Sequence, residues 1–253
     1  MGCHMDNCGA RTRAHSACRT PCGRHFLIDS GALHADGFFP GTLEAREDFR
    51  TDRTTALVFS RENSGMNDVI RGAADLQELC ERESWRFCFI GGLALLRWGE
   101  PRTTRDADLT LLTGFGGEER FIKRLLETFE ARIPDASAFA LRHRVLLLQS
   151  SSGVGLDVAL GGLPFEEDCV ERSSCFVYPP DIPLRTCSAE DLIVMKSFAS
   201  RPQDWVDVSG IIVRQSVSLD WNYIERQLRP LVELKGSPET LDRLRRHRSE
   251  FEG

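Results

Sequence analysis

Asp106 and Asp108 stand two residues apart in Arg105-Asp106-Ala107-Asp108-Leu109-Thr110-Leu111-Leu112, a segment that is otherwise largely apolar. An apolar run of this length reads as a strand. In a strand, residues i and i+2 point to the same face, so the two carboxylates project side by side. Like charges held that close repel, and placing them at an apolar sheet end is costly unless a cation neutralises them. Hard oxygen ligands are what magnesium prefers. The chain must therefore build a sheet with one end open to a cation.

The neighbouring segments supply the rest of such a sheet. Trp85 to Ile90 is apolar and aromatic apart from Arg86, ends on Gly91-Gly92 and runs into Leu93-Ala94-Leu95-Leu96, which predicts strand, tight turn, helix. Arg144 to Gln149 and Gly155 to Leu160 are two apolar runs joined by Ser150-Ser151-Ser152-Gly153, the composition of a hairpin turn. Helical spacing appears in Val69, Ile70, Ala73, Leu76 and Leu79 behind Asn67 as a cap, and again from Phe121 to about Arg132. Beyond Pro179-Pro180 the chain is expected to turn helical. Ser188 and Asp191 form a capping-box-like start, and further helices are expected over 203–214, 221–234 and 238–251.

Residues 1–65 mix Cys, His, Arg, Thr and Gly without sustained periodicity. Three readings stand for them. Cys3, His4, Cys8, Cys18, Cys22 and His25 have zinc-binding donors, although their spacings do not match the paired CxxC pattern. The segment also reads as an unstructured tail, or as sequence preceding a natural start at Met66. The expected organisation is a core at 66–180 and a helical part at 181–253 that closes a nucleotide cleft. The net charge of −6 across 253 residues argues against coating nucleic acid by bulk attraction. No apolar run is long enough for a membrane-spanning helix. Nine cysteines, an odd count, with no secretory apolar segment favour reduced thiols and a cytoplasmic location.

Asp157 lies between Leu156 and Val158 on a candidate neighbouring strand and can bring a third carboxylate to Asp106 and Asp108. Three carboxylates suit two magnesium ions, with manganese as a substitute. Paired ions are what nucleotidyl transfer uses to activate the attacking oxygen and neutralise the leaving pyrophosphate. Gly91 and Gly92 let a backbone approach a phosphate closely at a helix N-terminus. Arg102 and Arg105 flank the carboxylates and can screen them or bind phosphate. Trp98, Trp205 and Trp221 read either as core or as stacking platforms for a base. Arg243, Arg245, Arg246 and Arg248 read either as a solvated helix face or as an RNA-backbone contact.

The order Gly-Gly turn, Asp-x-Asp strand, later isolated Asp resembles the nucleotidyltransferase superfamily signature. More narrowly, Gly91-Gly92-Leu93-Ala94 with Arg102-x-Thr104-x-Asp106-x-Asp108 resembles the AbiEii/AbiGii toxin and MenT-like group of minimal nucleotidyltransferases. The resemblance covers Met66 onward. It implies an α/β (α+β) polymerase-beta-like fold, a short mixed sheet flanked by helices, with a nucleoside triphosphate as substrate. It implies catalytic, metal-binding roles for Asp106, Asp108 and Asp157, and nucleotide contacts from Gly91, Gly92, Arg102, Thr104 and Lys196. The group also carries a helical lysine followed by a Lys/Arg-x-x-Asp-x-x-Asp stretch, matched here by Lys196, Arg201, Asp204 and Asp207, with Gln203 where the pattern often has lysine. It further implies a tRNA 3′ end as acceptor and an antitoxin protein as partner. The competing readings are a catalytically silent nucleotide-binding or antitoxin-like module, and a transferase acting on protein or a small molecule.

Overall fold

Strand pairing turns the alternation at 106–112 into a sheet with one apolar and one acidic face. In the computed structural model, residues 53–215 and 218–251 are described, with side chains from 65 onward. Their strands are β1 (Phe87–Phe89), β2 (Asp106–Leu112), β3 (Glu130–Ala131), β4 (Val145–Gln149), β5 (Gly155–Gly161), β6 (Ser174–Tyr178) and β7 (Ile182–Thr186). They form one mixed sheet in the order β3-β4-β5-β2-β1-β7-β6. β2 runs parallel to β5 and antiparallel to β1, and β4 and β5 make the expected antiparallel hairpin. This is the mixed α/β architecture that the sequence predicts.

Ala107, Leu109 and Leu111 of β2 and Leu156, Val158 and Leu160 of β5 are buried on one face. There they pack with Val69, Ile70, Ala73, Leu76 and Leu79 of α1 (Arg53–Arg82), Phe121, Ile122 and Leu125 of α3 (Glu118–Leu126), and Ala136 and Ala140 of α4 (Ala136–His143). The other face meets a second core. It is built from α2 (Gly91–Trp98), α5 (Pro164–Arg172), α6 (Ala189–Ala199), α7 (Pro202–Gln215), α8 (Trp221–Lys235) and α9 (Glu239–Phe251). Because side chains alternate across a strand, the residues between the buried leucines, among them Asp106, Asp108 and Asp157, fall on this second side.

Several expectations are corrected. Helix α1 continues back to Arg53, so Asn67 lies within it and is not its cap. The helix expected to reach Arg132 stops at Leu126, and the chain then extends to pair Glu130 with Gln149 and Ala131 with Leu148. Edge pairing with β4 wins there over continued helical spacing. The chain does not turn helical directly after Pro180: Ile182 to Thr186 first pairs with β6 and β1. Pro183 lacks an N–H, which hides so short a strand from a reading of the sequence. Helices α4 and α5 were not expected; both are short, and α4 buries little beyond two alanines. Ser188 does cap α6, accepting the Asp191 amide at 3.1 Å. The cysteine-rich zinc reading lies outside the described residues.

Candidate active site

The parallel register of β2 and β5 sets Asp108 opposite Asp157 and Asp106 opposite Gly155. Adjacent strands lie about 4.8 Å apart, so all three carboxylates gather at the same sheet end. β1 brings the glycines to that end. Ile90 donates its amide to the Asp108 carbonyl at 2.9 Å, and Gly91 turns the chain with φ +57°. A side chain at Gly91 would collide with the Asp108 carboxylate, and one at Gly92 with the Thr104 hydroxyl. Thr104 in turn donates to the Asp106 carbonyl at 3.0 Å. The N-cap of helix α2 is Ile90, whose side chain cannot accept a hydrogen bond. The Asp108 carboxylate accepts the Gly92 amide instead, an anion at a helix N-terminus.

This crowding has an electrostatic consequence. Burial raises the Asp108 pKa from 3.8 to about 6, helped by the charges of Asp157 and Asp106 and opposed by the Gly92 amide and Lys196. Burial also raises Asp157, with Arg132 acting to lower it and Asp106 to raise it. The cluster therefore holds more negative charge than its surroundings solvate well, which is the condition a divalent cation relieves.

Arg132, which the sequence reading did not single out, forms an ion pair with Asp157. Nothing in the sequence distinguishes this arginine from a surface one. Its place follows from β3 pairing at the sheet edge, where its amide donates to the Leu147 carbonyl at 3.0 Å.

The facing wall comes from α6 and α7. Lys196 is buried and donates to Asp204 Oδ1 at 3.2 Å and Asp207 Oδ2 at 2.7 Å. Asp207 also accepts a two-pronged interaction from Arg102, at 3.1 Å to each oxygen, and a bond from Gln203 at 3.1 Å. Burial pushes the Asp207 carboxyl up, but these donors outweigh it and hold it below the ordinary range. Asp204 accepts from the Arg201 guanidinium at 2.8 Å. The stretch read as a helical lysine with following acidic residues is thus a buried network that ties Arg102 to α6 and α7. Between this wall and the sheet end lies a cavity of about 570 Å³, lined by the three carboxylates, both glycines and Lys196 among others.

Among the described residues no three His, Cys, Asp or Glu side chains stand in ready metal-binding geometry. The register nonetheless aligns three carboxylates, and their donor set, all oxygen and charge-crowded, fits a hard divalent ion. The tryptophans do not serve as base platforms. Trp205 is buried against His247, with ring centroids 5.0 Å apart, and Trp221 is buried. Trp98 donates to the Cys187 carbonyl at 2.8 Å and lies under Arg97. Three of the C-terminal arginines are engaged within the fold: Arg243 and Arg248 lie over Trp205 and Trp221, and Arg245 pairs with Glu225, while Arg246 is exposed.

Residues 76–251 match the family described as nucleotidyl transferase AbiEii toxin, type IV toxin–antitoxin system. The chain belongs to the AbiEii nucleotidyltransferase family. It is accordingly a nucleotidyltransferase enzyme, and the matched residues carry every carboxylate and glycine of the site. Among curated proteins none matches the chain. Solved structures similar to this AbiEii-family chain include an antigenic nucleotidyltransferase-like protein from Paracoccidioides brasiliensis, 14% identical over 72% of this chain and 94% of that one, with a TM-score of 0.45. The lincosamide antibiotic adenylyltransferase LnuA bound to lincomycin is 16% identical over 54% and 91%, with a TM-score of 0.39. The antibiotic-resistance factor ANT(2'')-Ia is 15% identical over 77% and 98%, also at 0.39. Likenesses this distant carry no weight for activity or acceptor.

Proposed function

We propose that this AbiEii-family chain moves a nucleoside monophosphate from a nucleoside triphosphate to an acceptor hydroxyl, with pyrophosphate released, and that the acceptor is an RNA such as a tRNA 3′ end. The observation that carries the reading is the β2/β5 register, which brings Asp106, Asp108 and Asp157 together facing Lys196 across one cavity. Asp106 and Asp108 are the ligands for two divalent ions, magnesium or in its place manganese, and Asp157 is the third carboxylate. Bound there, such ions neutralise charge on the reacting phosphate and lower the pKa of the attacking hydroxyl.

The chain's own groups orient the substrate. Gly91 and Gly92 leave room for phosphate at the start of α2. Thr104 braces Gly92, and Arg102 and Lys196 present positive charge to the triphosphate from the opposite wall. Asp157 would hold the ion that lowers the hydroxyl pKa and take the acceptor proton. In this reading residues 66–180 carry the carboxylates and 181–253 close the cleft over the nucleotide. The family's toxin–antitoxin description supports a cognate antitoxin as partner, and a cytoplasmic tRNA acceptor is consistent with it.

The test is to incubate the purified chain with magnesium, each labelled nucleoside triphosphate and total tRNA. RNA should become labelled with one nucleotide, and Asp106→Ala and Asp108→Ala should each lower labelling by at least about a thousandfold while the circular dichroism spectrum is kept. Label on protein instead of RNA would move the acceptor to protein. Full activity in either aspartate variant would overturn the mechanism.

A further inference from the structure

The carboxylate cluster already contains a cation, the guanidinium of Arg132. It pairs with Asp157 while the Arg132 main chain is anchored to Leu147 at the sheet edge. Gly155, opposite Asp106 in the β2/β5 register, makes the room. A side chain there would stand 2.7 Å from Arg132 Nη1 and 3.2 Å from Asp106 Oδ1, so the guanidinium and the Asp106 carboxylate share the space left above the bare backbone. Arg132 and Asp157 are each only partly shielded, at 28% and 29% side-chain exposure. A pair so placed can open, because water takes over the released charge at modest expense. Asp108, by contrast, has no arginine or lysine bonded to its carboxylate among the described residues, and accepts from the Gly92 amide.

We infer that Arg132 is an internal counter-ion that competes with a divalent cation for Asp157. With no cation bound, the guanidinium keeps three crowded carboxylates together. When a cation takes Asp157, the guanidinium must leave that oxygen, since two positive charges cannot share it without repulsion. Arg132 is in this role a positioning residue: it sets how much cation is needed before Asp157 becomes a ligand, and leaves Asp106 and Asp108 available at lower cation concentration. The inference rests on the metal-binding reading of the three aspartates.

The experiment is a binding titration with Mn2+ alone, read by the loss of its free electron paramagnetic resonance signal. It uses the full chain as wild type, Arg132→Gln, Asp157→Asn, the double variant and Asp108→Asn, each checked for folding by circular dichroism. The expected result is about tenfold tighter Mn2+ binding in Arg132→Gln, near what release of one partly buried charge pair allows. No gain is expected from the same change in the Asp157→Asn background. Equal tightening in both backgrounds would mean a through-space charge effect and would overturn the competition, as would no tightening at all. Loss of binding in Asp108→Asn upholds the site itself. Binding unchanged in that variant would overturn the metal-site reading and this inference with it, whereas loss there with no effect of Arg132→Gln overturns this inference alone.

Discussion

Asp108 shows how one side chain records its site. It is the central carboxylate, facing Asp157 across the parallel register, following Asp106 on its own strand, and accepting the Gly92 amide in the first turn of α2. In the unfolded chain it ionises near 3.8, and in the fold near about 6. Between those values the folded state keeps a proton that the unfolded state has released. Stability therefore falls as pH rises through that window and stays lowered above it. Asp108→Asn removes the charge and keeps an acceptor for the Gly92 amide. Without divalent ions it should stabilise the protein at pH 8 by about 1–2 kcal/mol, below the full shift because water reaches part of the carboxylate. Thermal melting at pH 8 and pH 4 checks this: the gain should vanish at pH 4, and no gain at pH 8 would contradict the assigned cause. Asp106, Asp108 and Asp157 were legible because acidic residues inside apolar strands are anomalous. Arg132 was not, since an arginine near an edge strand is an ordinary surface residue until pairing reveals its neighbour.

At the scale of elements, the β1–α2 turn determines whether the carboxylate strand and the phosphate-facing helix can meet. Gly91 combines a left-handed backbone with direct apposition to Asp108. Gly91→Ala should destabilise the protein by about 2 kcal/mol, of which the backbone conformation supplies about 1, and should abolish transfer by displacing Asp108. Gly114 has φ +72° but nothing within 4 Å of an added methyl. Gly114→Ala should therefore lose only about 1 kcal/mol and keep its activity. Urea denaturation and the labelling assay on both variants separate the two effects, and equal activity in the pair would remove Gly91 from the site. The strand-turn-helix unit was readable because its apolar run, glycine pair and helical continuation are consecutive. The short elements β3, β7, α4 and α5 were not, because each is stabilised by long-range pairing or packing more than by its own pattern.

Across the whole molecule, the buried network of Lys196, Asp204, Asp207 and Arg102 ties the segment before β2 to α6 and α7. Removing one partner of a buried charge network leaves the others uncompensated. Asp207→Ala should thus destabilise the protein by about 3 kcal/mol in urea titrations. It should also weaken triphosphate binding, because Arg102 and Lys196 both lose their placement. Unchanged stability would mean that Asp204 alone holds Lys196. Lys196→Ala should likewise destabilise the protein in urea, because Asp204 and Asp207 lose the cation they share, and should also weaken nucleotide affinity, measured by calorimetry on the folded variant.

Sequence by itself determined that the chain would build a mixed sheet with helices, that its acidic residues would share one strand face, and that a glycine turn would precede them. These are local properties, set by side-chain alternation at period two, helical spacing and the backbone freedom of glycine. Tertiary structure alone decided that β5 runs parallel to β2 with Asp157 opposite Asp108, that Lys196 lies bound between two aspartates, and that Trp205 and Trp221 are buried under Arg243 and Arg248. Only it brought Arg132 to the carboxylates. Register and ion pairing join residues far apart in the chain, and their energies depend on burial that no local pattern encodes.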